Sequence, residues 1–227
     1  MDYWRVFPWS LSFYMERRLE ALETKISALA RFVGVPDDSD VLHILAIAYK
    51  CGFTRPLAVR TPEDYYNQEL SARPTMLSYC RSTANLCKSI VLENTKAPRN
   101  AADPLFSRYY LIVVQYIRKF SSSKFHSAMR RLAKESTDTY LKSLTKNDYT
   151  WRFCEEDEAV ALTGAPHNGM GPIGTSMSIP LVLDANILQT VDNMWVGGMH
   201  PLVKLRVSCA EFKNLLMPLV LDCTDSL

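Results

Sequence analysis

The 227-residue chain contains no CxxC pair among its six cysteines, and His43, His126, His167 and His200 do not fall near them in sequence. Zinc requires clustered thiolates or imidazoles, so no metal site is expected. Free thiols in a reducing cytosol account for the cysteines, and a chain of this length buries a core without staples. No apolar run approaches the roughly 18 residues that cross a bilayer. The opening stretch Met1 to Tyr14 has neither a basic n-region nor a clean apolar h-region. These absences give a cytoplasmic protein without membrane contact as the expectation. Charge of one sign is also missing: 26 Lys and Arg face 24 Asp and Glu, for a net charge of +2. There is no GxSxG elbow, no carboxylate pair placed for acid–base work, and no internal repeat. A Ser176–His167–Asp184 set exists on paper only, because nothing in the sequence brings the three together.

What is present is a mixed series of elements. Met15–Val33 carries apolar residues at spacings of three and four (Leu19, Leu22, Ile26, Leu29, Val33), the pattern of an amphipathic helix. Gly34 and Pro36 stop it. Further helices are expected over Asp40–Lys50, Glu63–Leu70, Lys124–Lys134, Thr137–Leu144, Glu155–Leu162 and Glu211–Leu216. Lys88–Glu93 is a compact apolar run of strand length, and Tyr109–Ile117 reads as a central strand buried on both faces. Ile179–Leu183, Met194–Val196 and Val203–Val207 are strand-like. In the last, Val203, Leu205 and Val207 alternate with Lys204 and Arg206, which predicts a half-buried strand with the charges in solvent. Without a βαβ rhythm the class is α+β, organised as a helical extension over 1–40 and one domain over 41–227.

Two local signals need weighing. Gly169-Met-Gly-Pro-Ile-Gly174 matches the dinucleotide fingerprint GxGxxG. The mechanism, however, needs a strand before the glycines and a helix after them to hold a pyrophosphate. Here Thr163–Asn168 is turn chemistry, and Pro180 follows within a strand-like run, so the glycines mark a tight loop instead. The second signal is the excess of Lys and Arg between Arg108 and Lys146, which either forms a solvated face or supplies a local field for phosphates.

Several segments, taken in order, resemble the YbaK / prolyl-tRNA synthetase-associated editing family in its free-standing eukaryotic form. They are Leu86-Cys-Lys88-Ser-Ile-Val91, Glu93-Asn-Thr95, Arg108–Tyr116, Thr163-Gly164, His167–Gly174, Ile179–Asp184, Trp195-Val-Gly-Gly198, Lys204–Val207 and Glu211–Leu215. The resemblance spans residues 62 to 217 and implies a mixed β-sheet or partial barrel surrounded by helices. It implies a hydrolase that removes a misattached small amino acid, such as Ala or Ser, from tRNA in trans, with no cofactor. Lys88 matches the family's functional lysine. The family's GxxxP loop maps onto Asn168-Gly-Met-Gly-Pro172, with Asn168 where the first glycine would stand.

On this resemblance Lys88, Gly169, Gly171 and Gly174 carry the chemistry. Asn168, Met170, Pro172, Gly197, Gly198 and His200 contact the substrate, and Lys124, Arg130, Arg131 and Lys134 track the acceptor stem. An aminoacyl ester is already activated, so positioning a water and aiming dipoles at the oxyanion suffice, without a side-chain nucleophile. Specificity would follow from a pocket too small for the correct amino acid. The expected partner is the acceptor end of tRNA. An aminoacyl-tRNA synthetase or synthetase complex, and a second copy of the chain paired through the N-terminal helix, stay open, as does a catalytically weak binding module of the same fold.

Overall fold

The computed structural model describes residues 38–101 and 103–227, together with Arg18 and Thr24, which are helical. The rest of the expected Met15–Val33 helix lies outside the described residues. The chain divides into two compact units, Met1–Ser39 and Asp40–Leu227, and the second carries everything that follows.

Helix α1 (Ser39–Lys50) buries Val41, Ile44 and Ala48, one stripe at helical spacing. The chain then enters β1 (Leu57–Arg60) and, after a long irregular stretch, β2 (Cys87–Asn94), which runs one residue past the expected strand at each end. Strand β3 (Tyr109–Gln115) turns into β4 (Arg118–Phe120), and α2 (Ser122–Glu135) follows. Helix α2 buries Phe125, Met129 and Ala133; cutting Phe125 back to Ala would cost about 3–5 kcal/mol. Then come α3 (Thr139–Ser143), β5 (Trp151–Phe153) and α4 (Glu156–Thr163). Helix α4 ends on Gly164 at φ 74°, left-handed backbone that glycine adopts without a Cβ penalty. The rest is β6 (Leu181–Asp184), α5 (Ala185–Thr190), β7 (Asn193–Gly197), β8 (Val203–Ser208), α6 (Cys209–Leu216), β9 (Leu219–Leu221) and β10 (Thr224–Ser226).

The strands form a five-stranded sheet in the order β5-β2-β3-β6-β9, a three-stranded sheet in the order β1-β8-β7, and a β10-β4 ribbon. The large sheet is mixed: β2 lies antiparallel to β3 and β5, whereas β3–β6 and β6–β9 are parallel. Strand β3 is buried on both faces, as its composition predicts. Tyr110, Ile112 and Val114 pack under α2, while Val113 meets α1, α6 and the inner face of the small sheet and Leu111 meets α4. The class is therefore α+β, with helices on both sides of a mixed sheet.

Two fully buried carboxylates tie the layers together. Glu93 sits between Arg108 and Arg152. Asp184 accepts from Thr224 Oγ1 at 2.9 Å and Cys223 N at 3.2 Å, joining β6 to the C-terminal ribbon. Asp184 is thus structural, and the paper triad dissolves: His167 is exposed beside Glu156, and Ser176 is exposed at the end of α4.

The helix expected over Glu63–Leu70 is a succession of turns. Tyr65 is buried against Leu86 and Trp195, and Tyr66 donates to the Asn168 carbonyl at 2.7 Å. These tertiary ties on adjacent residues override a weak local preference for helix.

Candidate active site

A cleft of about 440 Å³ opens where the outer edge of β2 faces the loop after α4, within the range of about 300–1,000 Å³ typical of small-molecule sites. Strand β5 pairs only with Leu92–Asn94, so Lys88–Ile90 runs along the cleft with no strand on that side. Lys88, Asn168, Met170 and Gly197 all line it, as do Tyr65, Tyr66, Tyr116 and Lys204.

Close backbone contact fixes the loop. A Cβ on Gly171 would lie 1.9 Å from the Gly197 carbonyl oxygen, and one on Gly197 would lie 2.1 Å from that of Met170. Only glycine at both positions lets the loop rest on β7. Asn168 holds φ 61°, a left-handed conformation that Asn tolerates better than most residues. Lys204 donates to the Asn168 carbonyl at 3.3 Å, to the Pro201 carbonyl at 2.8 Å and to the Tyr66 hydroxyl at 2.6 Å.

Lys204 corrects the reading of β8, for its side chain is buried at 5% exposure. Val203, Leu205 and Val207 do face the core, but Tyr65, Tyr66 and the Asn168 loop cover the other face. Burial, followed by repulsion from Arg73, pulls the Lys204 amine down to about 7. Burial likewise pushes the Tyr66 and Tyr65 hydroxyls well above the ordinary phenol value. Arg73 lies over the rings of Tyr65, Tyr66 and Tyr116 at 5.4–5.8 Å, and Lys88 Nζ is 5.7 Å from the Tyr116 ring. Among the described residues no carboxylate pairs with Lys88. Lys88, with the Arg73 guanidinium on the wall behind it, gives this side of the cleft a cationic character suited to phosphate or a developing oxyanion. The Lys204 donors are spent on the loop, and the Glu156 carboxylate, also on the lining, pairs with His167.

The other expected residues are not on the cleft lining, although Gly169 and Gly171 alternate with Asn168 and Met170, which are. Gly169, Gly171, Pro172, Gly174, Gly198 and His200 do not line the cleft. The Gly169 amide is given to Pro166 O at 2.9 Å, so this glycine, expected to carry part of the chemistry, does not offer a free donor. His200 accepts from Leu202 N at 3.1 Å and sits by Arg60 and Asp40. Of the expected tRNA-tracking residues, Lys124 pairs with Asp222 and Asp225, Arg131 with Glu135, and Lys134 donates to Lys142 O. Arg130 and Lys134 both lie outside any ion pair among the described residues, and only Lys134 has a hydrogen-bond partner.

The sequence reading missed Lys204, Tyr66 and Ser89, whose buried hydroxyl on the cleft wall has no partner. Cys154 also lines the cleft, but burial and then the neighbouring Glu158 push its thiol up to about 12, far from a nucleophile's range. Among the described residues no set of His, Cys, Asp and Glu is grouped to hold a metal ion, and no helix is long and apolar enough to cross a membrane.

No protein-family model matches the chain, and no curated protein sequence matches it. Solved structures do. A crystal structure described as a candidate trans-editing enzyme for prolyl-tRNA synthetase superimposes with a TM-score of 0.62 at 18% identity, covering 84% of this chain and 100% of that one. A scaffold used for epitope grafting by computational design matches with a TM-score of 0.58 at 18% identity, over 84% and 100% of the two chains. The hypothetical protein APE2540 gives 0.57 at 19% identity, over 80% and 99%. At these identities the likeness is one of fold, and the fold is similar to that of an editing domain.

Proposed function

We propose that the chain is an aminoacyl-tRNA deacylase acting in trans, with the cleft between β2 and the Asn168 loop as its active site. The observation that carries this reading is the shared cavity. The one lysine that sequence resemblance singles out, Lys88, lines the same hollow as Asn168 and Met170 of the loop that stands for GxxxP. The cleft holds positive charge and no activated side-chain nucleophile, the arrangement expected where an ester is hydrolysed by a positioned water. Lys88 would hold the terminal phosphate or the ester region of the aminoacyl-adenosine. The substrate's ribose hydroxyl would help place the water. The main-chain edge of β2 beside Lys88 supplies polar groups along the same wall.

The amino acid would enter against Met170, Ala159 and Val160, an apolar lining that Asn168 narrows at one side. Small side chains such as those of Ala or Ser fit such a sieve, because exclusion discriminates where attraction of a single methylene gives only about 10–200-fold.

One observation favours a second reading, a catalytically weak tRNA- or synthetase-binding module. The engaged Gly169 amide leaves fewer donors for an oxyanion than the loop's glycines promise. A panel of tRNAs mischarged with Ala, Ser, Thr and Cys separates the two. Release of at least one amino acid by the purified chain supports the deacylase. Binding without release on every substrate supports the module.

A further inference from the structure

The second concentration of cations lies beside the cleft, outside it. A groove of about 720 Å³ runs between the start of α2 and the turn at Lys146–Asp148, lined by Lys96, Lys146, His126, Ser122, Ser123 and Trp151. Lys96 and Lys146 are exposed, and neither makes an ion pair among the described residues. This sets them apart from Lys124, Arg131 and Lys134, whose charges or protons are already committed. Arg130 stands one helical turn beyond His126 on the same face of α2. Burial, and then Arg130 and Lys146, hold the His126 imidazole below its ordinary value, which is how a cluster of unneutralised positive charge acts on a neighbouring base. Ser121 gives α2 no side-chain cap, so the amides of the first turn at Ser122 and Ser123 keep their capacity to meet an anion.

The groove and the cleft share one element. Strand β5 contributes Trp151 to the groove and Phe153 to the cleft. The two side chains leave the same face of the strand, about 7 Å apart. Phe153 is 60% exposed and meets the Phe120 ring in a T-shaped pair at 5.9 Å. An exposed ring on the lining of the cleft, joined through β5 to a groove with two lysines outside any ion pair, has the two parts of a single-strand binding track. One is a platform for a base; the other is a charged groove for the backbone.

We propose that this track seats the single-stranded 3′ end of tRNA, with Lys96 and Lys146 on its phosphates and Phe153 stacked on a base at the cleft mouth; the inference rests on the deacylase reading. It moves the nucleic-acid contact from the outer residues of α2 to the β5 edge.

The test is equilibrium binding of uncharged tRNA to the full chain over a series of salt concentrations. It compares the parent, Lys96→Ala/Lys146→Ala, Phe153→Ala, Phe153→Tyr and the charge-matched control Lys50→Ala/Lys213→Ala. The double lysine variant is expected to bind more weakly, with the slope of log affinity against log salt reduced by about 0.7 per lysine. Phe153→Ala should lose about tenfold at any salt, and Phe153→Tyr should recover it. A parent that binds no tRNA, or a double lysine variant with the control's affinity and slope, overturns the track. Failure of the track and failure of the deacylase reading separate cleanly. If the parent hydrolyses mischarged tRNA and the double variant keeps its KM, the track is wrong and the activity stands. If nothing is hydrolysed but affinity falls as described, the track stands and the activity is wrong.

Discussion

Lys204 donates to the carbonyl oxygen of Asn168 across 3.3 Å, and Tyr66 donates to the same oxygen at 2.7 Å. The loop that faces Lys88 is therefore held from beneath by a buried amine on β8, at the only residue of the loop's first turn with left-handed backbone.

Replacing Lys204 with Met tests this support. The side chain keeps its length and sheds a buried amine, but the Pro201 carbonyl and the Tyr66 hydroxyl lose a donor, so stability should fall by no more than about 1–3 kcal/mol. Turnover on mischarged tRNA should drop by up to about a hundredfold, because the loop loses its position relative to Lys88. The pH dependence of stability follows from the same residue. Its folded pKa of about 7 lies below the ordinary 10.5, so between these values the unfolded chain binds more protons and stability rises with pH. Above pH 9 the buried cysteines reverse the trend, because their raised folded values keep them protonated while the unfolded thiols ionise. Denaturant titrations from pH 7 to 9 should show a rise in the parent that is flattened in Lys204→Met; parallel curves would show that the amine is not buried.

Gly171→Ala places a methyl group against the Gly197 carbonyl, backbone on backbone. Neither strand nor loop can give way cheaply, so the variant should lose about 1–3 kcal/mol of stability together with activity. Urea unfolding with a matched deacylation assay checks both.

Asn168→Gly suits the φ of 61° and should leave the fold intact. It removes a side chain from the cleft wall, so relative kcat/KM should move toward larger amino acids, by about tenfold for each methylene newly admitted. Competition between Ala- and Val-charged tRNA would read the shift; an unchanged ratio would remove Asn168 from the sieve.

Cys154→Ser should retain most of the parent's turnover, and iodoacetamide at neutral pH should label Cys154 slowly, since its thiol is pushed up to about 12. Rapid inactivation through this residue would contradict the absence of a side-chain nucleophile.

The long elements were legible because their patterns repeat. Strand β3, with apolar residues on both faces, and α2, with Phe125, Met129 and Ala133 on one stripe, each outlast a full period. Strands β4, β5, β9 and β10 are three residues each, too short for alternation to register. The site divides the same way. Lys88 and the Asn168 loop were readable from the order of motifs. Lys204 was not, because the groups that bury it, Tyr66 and Asn168, come from 138 and 36 positions away and cover a face that the strand's own pattern assigns to water. The basic stretch was visible as composition, but which cations stay uncommitted depends on carboxylates such as Asp222 and Asp225 arriving from the C-terminal ribbon.

The most direct measurement compares single-turnover release of Ala from mischarged tRNA by the parent and by Lys88→Ala, with circular dichroism to verify that both are folded. A loss of about a hundredfold or more is expected in the variant, the scale of removing one charge-stabilising group from a preorganised site. Equal rates from two folded proteins would contradict it.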